Sequence, residues 1–192
     1  LISVMDGINA NDYFGWAVSI SRDGSTVAVS AKQALVTGNP YAGLVRTYTY
    51  NGSSWVILST INGQAAYDFI GESVSLSSNG TVIAIGSPSS GNVSSNRGLT
   101  RIYQLSGGVW SKIGSDINGI NTNDRIGNSV SLSDDGTIVA IGASENSTTY
   151  NGIVRVYQNV SGTWTQLGSD ITGSTNGMRL GKIVSISSDG TV

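Results

Sequence analysis

The stretch NSVSLSDDGTIVAIGAS, residues 128–144, alternates small polar and apolar residues, turns at an Asp-Gly, and then runs apolar. The alternation is typical of a strand with one buried face, and the Asp-Gly is typical of a tight hairpin turn. The apolar run that follows is typical of a strand covered on both faces. The stretch therefore predicts a β-hairpin with one half-buried and one fully buried strand.

Close copies of this hairpin recur along the chain. They read FGWAVSISRDGSTVAVSA, IGESVSLSSNGTVIAIGSP and LGKIVSISSDGTV. The glycine before each copy recurs every 54–56 residues, at Gly15, Gly71, Gly127 and Gly181. Three tryptophans keep nearly the same period, at Trp55, Trp110 and Trp164. A fixed period of this length indicates a repeat architecture.

Each repeat has the pattern of four short strands and shows no apolar spacing typical of an amphipathic helix. The third strand is GLVRTYTY, GLTRIYQL or GIVRVYQN, and a second hairpin leads to a fourth strand that begins with tryptophan. Two hairpins in series make a four-stranded antiparallel meander. Small residues on the first strand and tryptophan on the fourth suit the wedge-shaped blades of a β-propeller. We therefore predict an all-β fold made of propeller blades.

The repeat also predicts boundaries. We expect 1–13 to end a preceding blade, 14–68, 69–124 and 125–178 to be three full blades, and 179–192 to start a further blade. An open stack of blades would expose two apolar faces, which soluble monomers rarely do. We therefore expect a fragment of a larger propeller, whose ring is closed by further blades of the same chain or by other copies.

The hairpins carry a family resemblance. Phe14-Gly15, the VSLS strand, and the segments Gly86-Ser87-Pro88 and Gly142-Ala143-Ser144 resemble the FG-GAP repeat, the blade unit of integrin α-subunit propellers. Some members of that family bind calcium in an Asp-rich DxDxDG loop. The turns SRDG, SSNG, SDDG and SSDG depart from that loop because they are short and hold one or two acids each. Asp134 and Asp135 are the only weak calcium candidates, and we expect no other cofactor.

Composition excludes several kinds of function. The chain has no Cys and no His, which removes disulfides, thiol catalysis and the commonest general base. Its net charge of −2, with scattered Lys and Arg, disfavours nucleic acid and membrane insertion. Charged residues make up only 11% of the chain, as is common in extracellular, cell-surface and virion proteins.

Segments between the second and third strands differ from repeat to repeat, and such variable loops commonly carry binding specificity. The candidate ligand contacts on them are Gln33, Tyr41, Arg97, Glu145 and Tyr150. The alternative is that these are only untethered loops. Five glycosylation sequons also lie in predicted turns or loops, where turn preference alone explains most of them: Asn51, Asn79, Asn92, Asn146 and Asn159.

Polar positions that repeat in register favour structural roles. We expect Arg46, Arg101 and Arg155 to stack on aromatic rings or pair with acids between blades. Turn formation explains Asp12, Asp68 and Asp124 better than a ligand does.

From these patterns we expect a non-catalytic extracellular or surface-displayed module that binds protein or glycan, as in adhesion. Catalysis needs converging groups, and neither Glu72 nor Glu145 has a visible partner in the sequence. We therefore predict that the chain is not an enzyme. Two alternatives stay open: a structural component of a large assembly, such as a virion or cell-surface layer, and, more distantly, a propeller glycosidase or lyase.

Overall fold

The structure, a computed structural model, describes residues 4–90, 96–145 and 150–191. This part of the chain contains β-strands, turns and bends but no helix, so the predicted all-β class is confirmed. Sheet 1 consists of β1 (Phe14–Ile20), β2 (Thr26–Ala31), β3 (Leu44–Tyr50) and β4 (Trp55–Asn62). Sheet 2 consists of β5 (Ser73–Leu76), β6 (Val82–Ser87), β7 (Leu99–Ser106), β8 (Val109–Lys112) and β9 (Ile117–Asn118). Sheet 3 consists of β10 (Ser129–Leu132), β11 (Ile138–Ala143), β12 (Ile153–Val160) and β13 (Thr163–Thr172).

Each sheet is an antiparallel meander in which consecutive strands pair, except that β9 of sheet 2 pairs with β7 beyond the end of β8. The second strand is the most buried in every sheet, and all residues of β2 and β6 are buried. This agrees with the apolar runs TVAVSA and VIAIGS, whose side chains are covered on both faces.

The hydrophobic core lies between the sheets. One cluster joins Ala28 and Val45 of sheet 1 to Ile83 and Tyr103 of sheet 2. A second cluster joins residues of sheets 2 and 3, including Ile102 and Ile141. The first strands β1, β5 and β10 contact one another in sequence. The three sheets are therefore layers of one packed stack.

Serines of the first strands connect neighbouring sheets. The backbone N–H of Leu76 donates to Ser19 Oγ at 3.0 Å, and that of Leu132 donates to Ser75 Oγ at 3.0 Å. Ile186 N–H makes the same bond to Ser131 Oγ at 3.2 Å. The small polar residues of the repeat thus satisfy backbone donors of the next layer, which allows close approach.

Some predicted strands are interrupted or absent. The fourth strand of sheet 2 breaks into β8 and β9 near Gly114, which has a left-handed φ of 68°. Residues 4–13 and 183–191 form no strand and belong to none of the sheets of the described residues. The three sheets remain separate and open within the described residues. No helix among those residues is long and apolar enough to cross a membrane.

Candidate functional site

The linkers between sheets and the loops that follow the second strands gather at one end of the sheets, which we call the loop end. Phe14 at the start of β1 pairs with Ala31 at the end of β2, so the linkers between sheets and the loops after the second strands meet there. The loop end comprises the described residues of 5–16, 32–43, 63–72, 88–98, 119–128, 144–152 and 173–182. It contains the segments in which the repeats differ most.

Buried aspartates organise the linkers of the loop end. Asp68 Oδ2 accepts hydrogen bonds from the backbone N–H groups of Gln64 and Ala65 at 2.9 and 3.1 Å. Asp124 Oδ2 accepts equivalent bonds from Ile120 and Asn121 at 2.8 and 2.9 Å. The predicted turn role of these aspartates is confirmed.

The repeated arginines of the third strand bind these linkers. Arg101 lies 3.4 Å from Asp68 and 3.0 Å from Asp116. Burial raises the pKa of Asp116, but hydrogen bonds and charge from Lys112 and Arg101 outweigh it and leave the pKa below its ordinary value. The predicted pairing of Arg101 with acids is confirmed.

One position of the linker differs in every repeat. The residue directly after the repeat glycine is Trp16, Glu72, Asn128 or Lys182. Glu72 and Asn128, which hold this position in two of the repeats, line a cavity of about 200 Å³ between sheets 2 and 3. Its lining is strongly polar and consists of Glu72, Pro88, Ser89, Arg125, Asn128 and Glu145. Two carboxylates, one guanidinium and one amide therefore face a single cavity.

Glu72 is held by a lysine of the neighbouring sheet. Lys32 Nζ donates to Glu72 Oε2 at 3.0 Å, and the two side chains are only 14% and 24% exposed. The same ammonium lies 3.1 Å from the centre of the Trp16 ring. Glu72 is thus fixed by a largely buried ion pair beside an aromatic face.

The opposite wall carries a second, more exposed ion pair. Arg125 Nη1 donates to Glu145 Oε2, and both side chains are about 40% exposed, at 40% and 37%. Ser144 Oγ donates to Asn128 Oδ1 and orients that side chain. Because exposed pairs contribute little stability, Arg125 can exchange its partner for a ligand at low cost.

The expectation that Glu72 and Glu145 have no partner was therefore wrong. Each has a cation partner, and both line the same cavity. The sequence feature that points to this cavity is the residue after each repeat glycine, which differs between repeats. The sequence alone does not reveal that this residue faces a cavity, because the cavity forms only when linkers and loops of separate repeats pack together.

The other predicted ligand contacts are spread over the loop end. Tyr41 stacks with neighbouring aromatic rings, and Tyr150 lies under Arg179 at 5.8 Å. Gln33 donates its backbone N–H to Asp12, and Arg97 is exposed. Of the five, only Glu145 lines the polar cavity.

The calcium candidates lie at the opposite end and take part in local bonds. Asp134 pairs with Arg22, and Asp135 accepts bonds from Ser133 and Thr137. The bond from the Thr137 backbone is the main reason that the pKa of Asp135 lies below its ordinary value. Among the described residues, no three His, Cys, Asp or Glu side chains are grouped to hold a metal.

Three asparagines of the glycosylation sequons accept hydrogen bonds through their Oδ1 atoms within turns. Asn51 accepts from Ser53 and Ser54, Asn79 from Thr81, and Asn159 from Gly162. Asn92 and Asn146 lie outside the described residues. Glycosylation at these sequons stays a prediction.

Comparison with known proteins gives a fold and no family. No family model matches the chain, and no curated protein matches it in sequence. The solved structures that resemble it include a proposed 6-phosphogluconolactonase from Bacteroides uniformis, with a TM-score of 0.60 and 14% identity over 88% of this chain and 43% of that one. The corresponding protein from Bacteroides fragilis has a TM-score of 0.56 and 13% identity over 83% of this chain and 39% of that one. Saccharomyces cerevisiae Sqt1 has a TM-score of 0.56 and 15% identity over 88% of this chain and 38% of that one.

These neighbours contradict two of our expectations. Two of them are proposed to be enzymes, so they support neither a non-catalytic extracellular binding module nor the prediction that the chain is not an enzyme. The second expectation rested on Glu72 and Glu145 having no partner, whereas both line one cavity with Arg125 and Asn128. At this identity the likeness shows the fold alone, and the FG-GAP resemblance stays a prediction.

Proposed function

We propose that the three sheets are blades of a β-propeller and that the polar cavity is the active site of a hydrolase for small polar esters or lactones. The repeat period, the stacked meanders and the propeller-like neighbours support the architecture. The observation that carries the activity is the meeting of Glu72, Arg125, Asn128 and Glu145 at one cavity. These residues supply both a proton acceptor and cationic or amide donors.

Glu72 is the general base of the proposed reaction. Its bond to Lys32 at 3.0 Å fixes one carboxylate oxygen and leaves the other to accept a proton from water. The water oxygen bonds to the carbonyl carbon, the bond from that carbon to the ester oxygen breaks, and the departing alkoxide takes the proton that Glu72 received from the water. A lactone yields one hydroxy acid.

Arg125 and Asn128 stabilise the charge that develops on the carbonyl oxygen. Arg125 is partly exposed and exchanges Glu145 for the substrate, while Asn128 uses Oδ1 for Ser144 and offers its amide hydrogens. Donors placed at a developing oxyanion typically contribute factors of about 10²–10³ to the rate. Glu145 positions Arg125 before substrate binds.

A lactone is favoured over other substrates because its hydrolysis needs no group that this chain lacks. A water, one carboxylate and an oxyanion donor suffice, and neither Cys nor His is required. The names of the two Bacteroides neighbours support the same class of substrate, although only the fold is shared at this identity.

Proton release tests the activity. Lactone opening at pH 7 liberates one proton per turnover, so a pH-stat measures it directly. We expect the protein to hydrolyse glucono-δ-lactone or its 6-phosphate faster than the spontaneous rate, and Asp23→Asn, at the opposite end of the sheets, to behave like wild type. Release no faster than the blank would contradict the proposal. Cleavage of p-nitrophenyl glycosides with inactivity on lactones would assign the cavity to glycoside hydrolysis instead.

A further inference from the structure

An aromatic cluster lies at the loop end beside sheet 1. Tyr41 stacks on Tyr67 and on Phe69 with ring centres 5.6 Å apart in both cases, and the centres of Tyr67 and Phe69 are 6.2 Å apart. Tyr41 and Tyr67 remain 42% and 45% exposed. We call these three residues the aromatic platform.

The fold does not require aromatic residues at these positions. In the next repeat the equivalent residues are Asn96, Asn123 and Arg125. The backbone is the same there: Phe69 N–H donates to Tyr41 O at 2.9 Å, and Arg125 N–H donates to Asn96 O at 3.1 Å. The platform is therefore a local addition to a shared scaffold.

The aromatic residues are also unfavourable for the backbone that carries them. Tyr41, Tyr67 and Phe69 have positive φ values of 55°, 63° and 48°. Bulky residues rarely adopt this region, whereas Asn does so more readily, as at Asn123 with a φ of 64°. The repeat scaffold imposes this conformation, since the equivalent Asn96, Asn123 and Arg125 also have positive φ, so the aromatic residues are present despite a backbone cost.

The ring geometry selects the kind of ligand. Tyr41 lies at 26° and 24° to its two neighbours, whereas the rings of Tyr67 and Phe69 are tilted by 49° to each other. Rings packed this closely against one another leave no room for a cation between them, which excludes a cage for a quaternary ammonium group. The half-exposed rings of Tyr41 and Tyr67, which carry phenol hydroxyls, suit the apolar C–H face of a sugar ring.

The platform adjoins the proposed active site. Phe69 precedes Glu72 by three residues, so their Cα atoms are at most about 11 Å apart. Phe69 also occupies the linker position at which Arg125 lines the polar cavity. We propose that the aromatic platform is a carbohydrate-binding subsite that stacks on a sugar ring of the substrate. Its link to a substrate rests on the proposed hydrolase, but its affinity for sugar does not.

Replacing the platform with the sequence of the next repeat tests the subsite. The triple variant Y41N/Y67N/F69R carries residues that the same backbone already accommodates, and Tyr150→Asn is the matched control at the equivalent position of sheet 3. Saturation-transfer NMR with glucose, galactose, maltose and cellobiose measures binding without turnover. We expect wild type, the control and Glu72→Gln to bind at least one sugar, and the triple variant to bind it at least about tenfold more weakly.

Two results would overturn the subsite. One is no saturation transfer from wild type to any of the four sugars. The other is equal affinity of wild type and the triple variant, with both folded by circular dichroism. Because Glu72→Gln removes the proposed base and keeps the platform, loss of hydrolysis with retained sugar binding separates the two proposals.

Discussion

The Arg155 guanidinium donates two hydrogen bonds of 2.9 Å to the Asp170 carboxylate, from Nε to Oδ1 and from Nη2 to Oδ2. Its Nη1 also lies 3.6 Å from Oδ2 of Asp124. Asp124 belongs to the linker before sheet 3, whereas Asp170 lies on the last strand of that sheet. One buried side chain therefore connects the linker to the sheet that it precedes.

This pairing predicts a dependence of stability on pH. The bond from Arg155 is the main reason that the pKa of Asp170 lies below its ordinary value. A carboxyl with a lower pKa in the folded state contributes stability above its unfolded pKa of about 3.9, and loses it as pH falls through the folded pKa. We expect Asp170→Asn to lower the free energy of unfolding at pH 7 and to flatten its decline below about pH 4.

Urea unfolding at pH 7 and pH 3 measures this effect. Asp6→Asn is the control, because only the backbone carbonyl of Asp6 accepts from Arg46. An unchanged slope of stability against pH in Asp170→Asn would show that the pair with Arg155 contributes no pH-dependent stability.

The serine links between sheets predict a second effect on stability. Ser75→Ala removes the acceptor of the Leu132 N–H, which is part-buried between two sheets. An unsatisfied buried donor costs about 1–3 kcal/mol, so we expect a loss of that size in urea unfolding. Ser53→Ala, in an exposed hairpin turn, is the control. Equal stability of the two variants would mean that the Ser75 link is not needed.

Tyr67→Asn should stabilise the protein. Tyr67 has a φ of 63°, and the equivalent linker positions hold Asn11, Asn123 and Gly177. Relief of this strain is worth about 1 kcal/mol and raises the unfolding midpoint. Tyr50→Asn, at the exposed end of β3, gives no such relief and should be neutral or destabilising. A loss of stability in Tyr67→Asn would show that the stacking of Tyr67 outweighs its backbone strain.

Arg125→Met should weaken substrate binding and the stabilisation of the oxyanion. We expect kcat/KM for the lactone to fall at least about tenfold, with little change in unfolding, because the Arg125–Glu145 pair is exposed. Arg179→Met is the matched control, since Arg179 holds the same linker position but lies over Tyr150. Equal losses in both variants would indicate a general effect of charge rather than a role for Arg125 in the cavity.

Much of the fold can be predicted from the sequence, because strand and turn patterns are local. The alternation in SVSL, the apolar run in VIAIGS and the Asp-Gly turns correspond to observed strands and hairpins. The interruption at Gly114 could not be predicted, since Gly168 has the same φ of 68° within the continuous strand β13. Neighbouring contacts decide between the two outcomes.

The site is less predictable because it is assembled from separate repeats. Glu72 and Lys32 are 40 residues apart, and Arg125 and Glu145 are 20 residues apart. Only the register between sheets shows that Glu72, Arg125 and Glu145 line one cavity. Divergence at Trp16, Glu72, Asn128 and Lys182 is the pattern that identifies the position from sequence.

The most direct test of the proposed hydrolase is the kcat of Glu72→Gln for a lactone that wild type opens, measured by pH-stat with Glu145→Gln in parallel. Removing a general base typically costs a factor of about 10²–10⁴, so we expect at least a hundredfold loss of kcat in Glu72→Gln. Glu145→Gln should retain most of the kcat, because its proposed role is to position Arg125. Unchanged turnover in a folded Glu72→Gln protein would contradict the assignment of this cavity as the active site.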